Sequence, residues 1–326
     1  MEFLLEPLRY EFFRHGLWAA LMVGALCGVV GVYIVLRGMS YIGHGLSHAA
    51  FGGAVVGYVM NVNFYLGAGL WGFLAAILIG QVSKKRKIKE DAAIGIVTTA
   101  SFAIGVALIS RVRKFTLSFE AALFGNILGI TTTDLIVISS VTAMISLLLF
   151  FFYKQLLFTT FDKDAAKIFG IKTEWVEILF SLILAAAIIV SMNIIGVTMI
   201  AAAIVIPAVT ARMLTDRFSY MMIASTLIGS GTAVSGMYLS YYFNAASGAT
   251  IVLFAACVFC LAMFYNYIRK RMLVHEHAHQ HGRVEHLHEH PHATGHEHPH
   301  EDKESTKAIP AAPLSKGSLK GKPGER

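Results

Sequence analysis

The stretch LWAALMVGALCGVVGVYIVL, Leu17–Leu36, decides the fold class of this chain. It carries no charged residue, and about 20 apolar residues is the length of an α-helix that crosses the hydrocarbon core of a bilayer. Glycines and alanines recur along it, and such small residues allow neighbouring helices to approach closely in lipid. The stretch therefore predicts a membrane-spanning helix that packs against other helices.

Further apolar blocks of similar length follow, so we predict an all-α, polytopic membrane protein with about 8–9 transmembrane helices. The composition agrees, since 56% of the residues are hydrophobic and 14% are charged, whereas a soluble domain has about 25% charged residues. No block shows the alternating pattern of a membrane β-barrel strand. The predicted spans are Leu17–Leu36, His44–Met60, Phe64–Ser83, Asp91–Ser110, Asp134–Tyr153, Thr173–Met192, Gly196–Leu214, Ser219–Phe243 and Ala249–Ile268.

Two dense basic runs, Lys84–Lys87 and Arg269–Arg271, predict the orientation because positively charged loops stay in the cytoplasm. An even number of predicted spans separates them, which puts both on the same side, together with Arg37 and the segment Lys154–Lys172. The run Arg111–Lys114 falls outside and is the exception to this topology. The formal net charge of +7 is thus mostly loop charge and does not indicate nucleic-acid binding.

The composition divides the chain into three predicted regions. These are an N-terminal interfacial segment (residues 1–16), a transmembrane domain (17–271) and a His-rich, disordered cytoplasmic tail (272–326). Clustered imidazoles bind zinc, copper or nickel, so we predict a regulatory metal-binding tail, with an affinity tag or a solvated spacer as the alternative. The tail histidines are His275, His277, His279, His281, His286, His288, His290, His292, His296, His298 and His300.

Two further histidines, His44 and His48, occur within a predicted span. Residues at i and i+4 lie on one face of a helix, about 6 Å apart, and paired histidines at this spacing bind zinc in helical metal sites. Ionisable residues inside a span are costly and usually line an ion path. We therefore predict a metal site in the translocation path, with an incomplete shell because the ion must leave again. The alternative is that both rings mark the interfacial end of the span.

The sequence contains neither a GxxxxGK[ST] nucleotide-binding pattern nor an HExxH metalloprotease pattern. The energy for transport must therefore come from a partner or from an ion gradient, and we predict no permanently bound cofactor. Cys257 and Cys260 have CxxC spacing but lie inside a predicted span, where we interpret them as packing residues. Pro207 predicts a kink in the seventh span.

Five sequence motifs, in this order, make the chain resemble the metal-ABC permeases, the integral membrane subunits of zinc, manganese and iron uptake systems. The resemblance runs from about Leu17 to Ile268 and excludes the His-rich tail. The motifs are RGMSYIGHGLSHA (Arg37–Ala49), EDAAIGI (Glu90–Ile96), LFGNILG (Leu123–Gly129), FDKDAAKIFG (Phe161–Gly170) and PAVTAR (Pro207–Arg212).

The resemblance implies an importer in the bacterial plasma membrane, built from a homodimer of permeases within the lipid, two cytoplasmic ATPase subunits and an extracytoplasmic solute-binding protein. The chain itself would be a transport subunit and not an enzyme. The segment Phe161–Gly170 is similar to the coupling helix that contacts the ATPase. The implied contact residues are Phe161, Asp162, Ala165, Ala166 and Gly170.

One departure from the family concerns the metal. Many members carry Asp where this chain has His44, in a GDxLSHA-like motif, whereas His48 matches directly. Imidazole in place of a carboxylate favours zinc over manganese, so we predict a zinc permease.

Three alternatives remain for the function of the chain. The first is a manganese or iron permease of the same family. The second is a secondary zinc transporter of the cation-diffusion type, which would show HxxxD pairs on two spans. The third is a membrane haem protein, which the location of both histidines on one helix face disfavours.

Overall fold

The computed structural model of the chain describes residues 5–83, 90–111, 123–281 and 284–291. It divides into two units, Met1–Lys270 and Arg271–Arg326. The basic run Lys84–Lys87, most of Arg111–Lys114 and the tail beyond Pro291 lie outside the described residues.

The described part of the first unit is helical, with short 3₁₀ turns at Pro7–Arg9 and Ile127–Gly129. The last helix continues past Lys270 to Leu273. The helices are α1 (Glu11–Leu36), α2 (Ile42–Val59), α3 (Phe64–Ser83), α4 (Glu90–Arg111), α5 (Thr132–Phe151), α6 (Tyr153–Phe161), α7 (Lys163–Ile168), α8 (Thr173–Ile195), α9 (Ile200–Leu214), α10 (Phe218–Phe243) and α11 (Ser247–Leu273).

Every predicted span overlaps one of these helices, which confirms the all-α membrane fold. Six helices among the described residues are long and apolar enough to cross a membrane, namely α1, α3, α5, α8, α10 and α11. Three further helices, α2, α4 and α9, coincide with predicted spans but are not long and apolar enough to meet the same criterion. The apolar part of α4 covers only Ala92–Leu108, α9 has 15 residues with Pro207 inside it, and α2 carries His44 and His48. The prediction of 8–9 spans therefore included helices that are short or partly polar.

Burial separates central from peripheral helices. Within the apolar windows of α1 and α8, 67% and 72% of the residues are buried, whereas the values for α5 and α11 are 17% and 22%. Since lipid covers apolar side chains on the outside of a membrane bundle, α1 and α8 form its centre.

Small residues bring α1 and α10 into close contact. A Cβ atom on Gly24 would lie 2.5 Å from the carbonyl oxygen of Gly229, so only glycine fits there. One helical turn further along, the Ser225 hydroxyl donates a hydrogen bond of 2.7 Å to the carbonyl oxygen of Gly28. Close backbone approach and interhelical hydrogen bonds are the forces that hold helices together in lipid, where the hydrophobic effect does not act between them.

A polar network joins α3, α5 and α8. The Tyr65 hydroxyl donates to Asp134 Oδ1 at 2.7 Å and accepts from Asn193 Nδ2 at 2.9 Å. Asp134 also closes a capping box with Thr131 at the start of α5. The network lies at the end of α8 opposite to α7, because Asn193 is near the last residue of α8 and Thr173 is its first.

The described part of the second unit contains two antiparallel strands, β1 (Val274–His281) and β2 (Val284–Pro291). The low-complexity composition had predicted disorder for this segment. The alternation of histidine with other residues has the two-residue period of a strand, which composition alone does not consider. The predicted limits of the three regions remain predictions.

Candidate metal translocation site

The two predicted site histidines lie together in the first half of α2. Their ring centroids are 4.6 Å apart and their planes are inclined by 83°. Both side chains are half-buried. The i, i+4 spacing on a regular helix produces this juxtaposition, so the two rings can share one ligand between them.

The neighbours of the pair are mainly aromatic. The ring of His48 packs edge-on against Phe102 of α4, with centroids 4.8 Å apart, and that of His44 lies 5.8 Å from Tyr41. Nδ1 of His48 is buried and has no hydrogen-bond partner among the described residues. A buried polar atom without a partner is costly, and a bound cation would satisfy a ring nitrogen of this kind.

The pair alone does not complete a metal shell. Among the described residues, no group of three or more His, Cys, Asp or Glu side chains is arranged to hold a metal ion. Cys257 and Cys260, which were predicted to be packing residues, do not contribute, and both are exposed on α11. Water or a second protein chain would have to supply the remaining ligands.

Ser47 fastens the site to a distant part of the chain. Its buried hydroxyl lies 2.8 Å from the carbonyl oxygen of His44 and 3.0 Å from that of Val197. Val197 belongs to the break between α8 and α9, which begins at Gly196 with φ of +89°. Val197 is 150 residues away in the sequence, so the motif around the histidines gave no sign of this contact.

Glycines in both halves of α2 bring this helix into close contact with α4. A Cβ atom on Gly45 would lie 2.5 Å from Ile94 and 2.8 Å from Thr98, and one on Gly52 would overlap the carbonyl oxygen of Ser101. The backbone that carries the histidines is therefore held by neighbours on at least two sides.

The segment predicted to contact an ATPase, Phe161–Gly170, begins at the last residue of α6 and contains the whole of α7. Asp162 caps α7, since its Oδ1 accepts from the backbone N–H groups of Asp164 at 3.0 Å and Ala165 at 2.9 Å. Gly170 ends the segment with φ of +79°. Ala166 is fully buried, so of the predicted contact residues this one faces the protein and not a partner.

Three large apolar side chains cover the outer surface of this segment. Phe161, Ile168 and Phe169 are 64%, 84% and 74% exposed. Phe161 was predicted as a contact residue, whereas Ile168 and Phe169 were missed. Their apolar character next to a charged loop was the available signal.

A polar cluster joins this segment to the rest of the fold, and we call it the inner cluster (Arg37, Thr159, Thr160, Lys163 and Glu177). Arg37 donates to Thr160 Oγ1 from Nε at 3.0 Å and to Thr159 Oγ1 from Nη2 at 3.1 Å. Lys163 Nζ lies 2.7 Å from Glu177 Oε1. Burial lowers the pKa of Arg37 to about 10, and the nearby Glu177 carboxylate opposes that shift, so Arg37 stays charged at neutral pH.

The tail histidines lie in two groups. His275, His277, His279 and His281 belong to β1, and His286, His288 and His290 belong to β2. The backbone register pairs His275 with His290, His277 with His288 and His279 with His286. His292, His296, His298 and His300 lie outside the described residues.

Comparison with known proteins gives consistent matches over the helical region. The manganese transport system membrane protein MntC of Halalkalibacterium halodurans is 37% identical over 264 residues, covering 81% of this chain and 90% of the relative. The chelated iron transport system membrane protein YfeC of Yersinia pestis is 32% identical over 265 residues, covering 81% and 90%. These names refer to manganese and iron, so they do not support the zinc preference that the sequence predicted.

A solved structure and a family model agree with these relatives. The structure of PsaBC from Streptococcus pneumoniae in complex with Fab superimposes with a TM-score of 0.75 at 34% identity, covering 83% of this chain and 99% of that chain. The model of the ABC 3 transport family matches residues 9–266. The chain therefore belongs to the ABC 3 transport family, which confirms the predicted resemblance to the metal-ABC permeases.

Proposed function

We propose that this chain is the permease subunit of an importer for a divalent transition metal in the bacterial plasma membrane. It works as a homodimer with two cytoplasmic ATPase subunits and an extracytoplasmic solute-binding protein. The observation that carries this function is the His44–His48 pair, with its buried and unpartnered Nδ1, in a chain of the ABC 3 transport family. Phe161, Ile168 and Phe169 form the surface that receives the ATPase.

Manganese or iron is the favoured cargo, because the relatives described above are named for these two metals. Imidazole ligands suit iron and zinc, whereas manganese prefers oxygen ligands. Zinc is therefore the second candidate, and the observation that favours it is the presence of His44 in a position where the family commonly has Asp.

The site binds its ion weakly enough to release it. Neutral imidazoles supply two ligands, and in a homodimer each copy contributes the same pair. A transported ion exchanges ligands as it passes, so a shell completed by water or by the second copy is easier to open than a closed four-ligand site. Protons compete with the metal for the imidazoles, so uptake falls in acid.

The test is uptake into vesicles that contain the permease together with its ATPase and binding protein. Zinc, manganese and iron are offered singly and in competition, with and without ATP. We expect ATP-dependent uptake that is lost when His44 and His48 are both changed to alanine. The matched control is His15→Ala, because His15 lies near the start of α1, 3.8 Å from Glu11. Full uptake by the double variant would contradict the proposed site.

The tail has a separate proposed role. Its interleaved histidines and glutamates bind several metal ions loosely and adjust transport to the internal metal concentration. The family match ends at residue 266, before the tail begins, which supports a role apart from the translocation path.

A further inference from the structure

Arg37 stands between the helix that carries the proposed metal site and the segment that receives the ATPase. It follows the last residue of α1 and precedes α2 by only four residues. Its guanidinium is half-buried, and Cζ lies 4.2 Å from the centroid of the Phe180 ring on α8. The side chain leaves the α1–α2 connection and ends on α6, 122 residues away in the sequence.

The connection from Arg37 to α2 is short, and backbone hydrogen bonds join it to both helices. The N–H of Gly38 donates to the carbonyl oxygen of Val35, and that of Met39 donates to Ile34. The N–H of Ile42, the first residue of α2, donates to the carbonyl oxygen of Met39 at 3.0 Å. Four residues tied to α1 at Gly38 and Met39 and to α2 at Ile42 form a short path, along which a displacement of Arg37 reaches the start of α2.

The other end of the link is equally well defined. The hydroxyls of Thr159 and Thr160 donate to carbonyl oxygens of their own helix, α6, and present their lone pairs to Arg37. Thr159 is fully buried. Hydrogen bonds with a charged donor are about twice as strong as neutral ones, and the planar fork of arginine fixes their direction.

A second contact, between Lys163 and Glu177, also ties the segment to the bundle. Both side chains are partly exposed, with 58% and 35% of their surfaces accessible. Exposed ion pairs contribute little and are screened by salt. The half-buried fork of Arg37, with two charge-assisted hydrogen bonds, is therefore the stiffer of the two links within the inner cluster.

We propose that Arg37 is a positioning residue for transport, which transmits the displacement of α6 and α7 to the start of α2 and so to His44 and His48. The proposal rests on the proposed function, since it assumes that α7 meets an ATPase and that the histidines bind the cargo. Arg37 does not touch the cargo in this scheme. Its loss uncouples ATP hydrolysis from metal movement while both activities persist separately.

The test uses the complete transporter in vesicles and measures metal ions moved per ATP hydrolysed. The variants are Arg37→Gln, the pair Thr159→Val with Thr160→Val, and all three changes together. We expect the ratio to fall about tenfold in the first two, because each removes charge-assisted hydrogen bonds. The triple variant should be no worse than either, because all of them remove the same contacts.

Two further variants separate geometry from charge. Arg37→Lys keeps the charge but reaches only one hydroxyl, so its ratio should lie between those of wild type and Arg37→Gln. Arg217→Gln removes an exposed arginine whose guanidinium lies over the Tyr220 ring of its own helix, and its ratio should equal that of wild type. A wild-type ratio in Arg37→Gln, or the same fall in Arg217→Gln, would overturn the proposal.

A second measurement does not depend on metal transport. Amide hydrogen exchange over residues 38–48 is followed in the permease–ATPase complex with and without nucleotide. We expect nucleotide to change the exchange of this segment in the wild type and not in Arg37→Gln. If the wild type moves no metal, the proposed function fails, and an equal exchange response in both proteins would refute the link itself.

Discussion

The site-bearing half of α2 and the α6–α7 segment are held in the fold by different kinds of contact. The α2 backbone touches α4 directly at Gly45 and Gly52, and Ser47 bonds to the carbonyl oxygen of Val197. The α6–α7 segment has its outer side exposed, and its inner side is held by buried Leu156 and Ala166, by the Arg37 fork and by the Lys163–Glu177 pair. Backbone packing without clearance fixes positions, whereas side-chain links permit movement at low cost.

The difference suggests a division of labour. Ligand rings must keep their spacing to bind an ion, and the close-packed α2 provides a stiff frame for them. A segment that follows an ATPase must move as a unit, and side-chain contacts with the bundle allow this at lower cost than close backbone packing does.

Gly52→Leu tests the close packing of α2 against α4. The new side chain would overlap the carbonyl oxygen of Ser101, so α2 and α4 must separate. Overpacking of this kind costs about 1–3 kcal/mol or more. We expect a lower melting temperature of the purified permease and loss of uptake. Gly231→Leu is the control, since its Cβ would meet no atom within 4 Å. Equal stability of the two variants would show that α2 is not tightly packed.

Ile168→Asp and Phe169→Asp test the exposed apolar surface of the α6–α7 segment. Both side chains are exposed, so the permease should fold normally, but an apolar contact with the ATPase would be replaced by a desolvated charge. We expect ATPase affinity to fall by about tenfold or more for each, the range of a central interface residue.

Phe243→Asp is the matched control for Phe169. Phe243 is 73% exposed and is the last residue of α10, whose first residue, Phe218, contacts Phe161. It therefore lies at the opposite end of a helix about 38 Å long. Undiminished ATPase binding by the Phe169 variant would remove this surface from the interface.

His44→Asp tests the metal preference of the site, because it changes a proposed ligand and keeps the packing of α2 against its neighbours. The carboxylate restores the residue that is common in the family and offers oxygen to the ion. We expect uptake to continue and the manganese-to-zinc preference to rise by about tenfold, or about 1.4 kcal/mol of differential binding. Competition between the two metals in matched vesicles measures it. An unchanged preference would mean that this position does not select the metal.

Deletion of the tail after Leu273 tests a region outside both α2 and the α6–α7 segment. We expect uptake to stay within about twofold of the full chain, because the proposed role of the tail is to bind metal without forming the path. Its dependence on internal zinc should weaken, which uptake into vesicles preloaded with zinc would reveal. Complete loss of transport by a normally inserted truncation would make the tail part of the path.

Much of the fold could be predicted from sequence because span length and hydropathy are local properties. The proximity of His44 and His48 was predictable for the same reason, since helix geometry fixes it. Contacts between segments that are distant in the sequence were not predictable, and examples are those of Ser47 with Val197 and of Arg37 with Thr159.

The orientation of α7 also escaped prediction. Six residues are too few for a periodic pattern, so the sequence did not distinguish buried Ala166 from exposed Ile168. Exposure of Cys257 and Cys260 was missed because lipid-facing and buried positions of a span are equally apolar.

The network of Tyr65, Asp134 and Asn193 has a consequence for the biosynthesis of the chain. Asp134 follows Tyr65 by 69 residues, so their bond can form once α5 has entered the membrane. Asn193 leaves the ribosome 128 residues after Tyr65, when α8 is almost complete. The order of synthesis therefore allows α3 and α5 to be joined at this end before α8 adds the second bond. A nascent chain halted before residue 193 would contain both partners of the Tyr65–Asp134 bond but not both partners of the Tyr65–Asn193 bond.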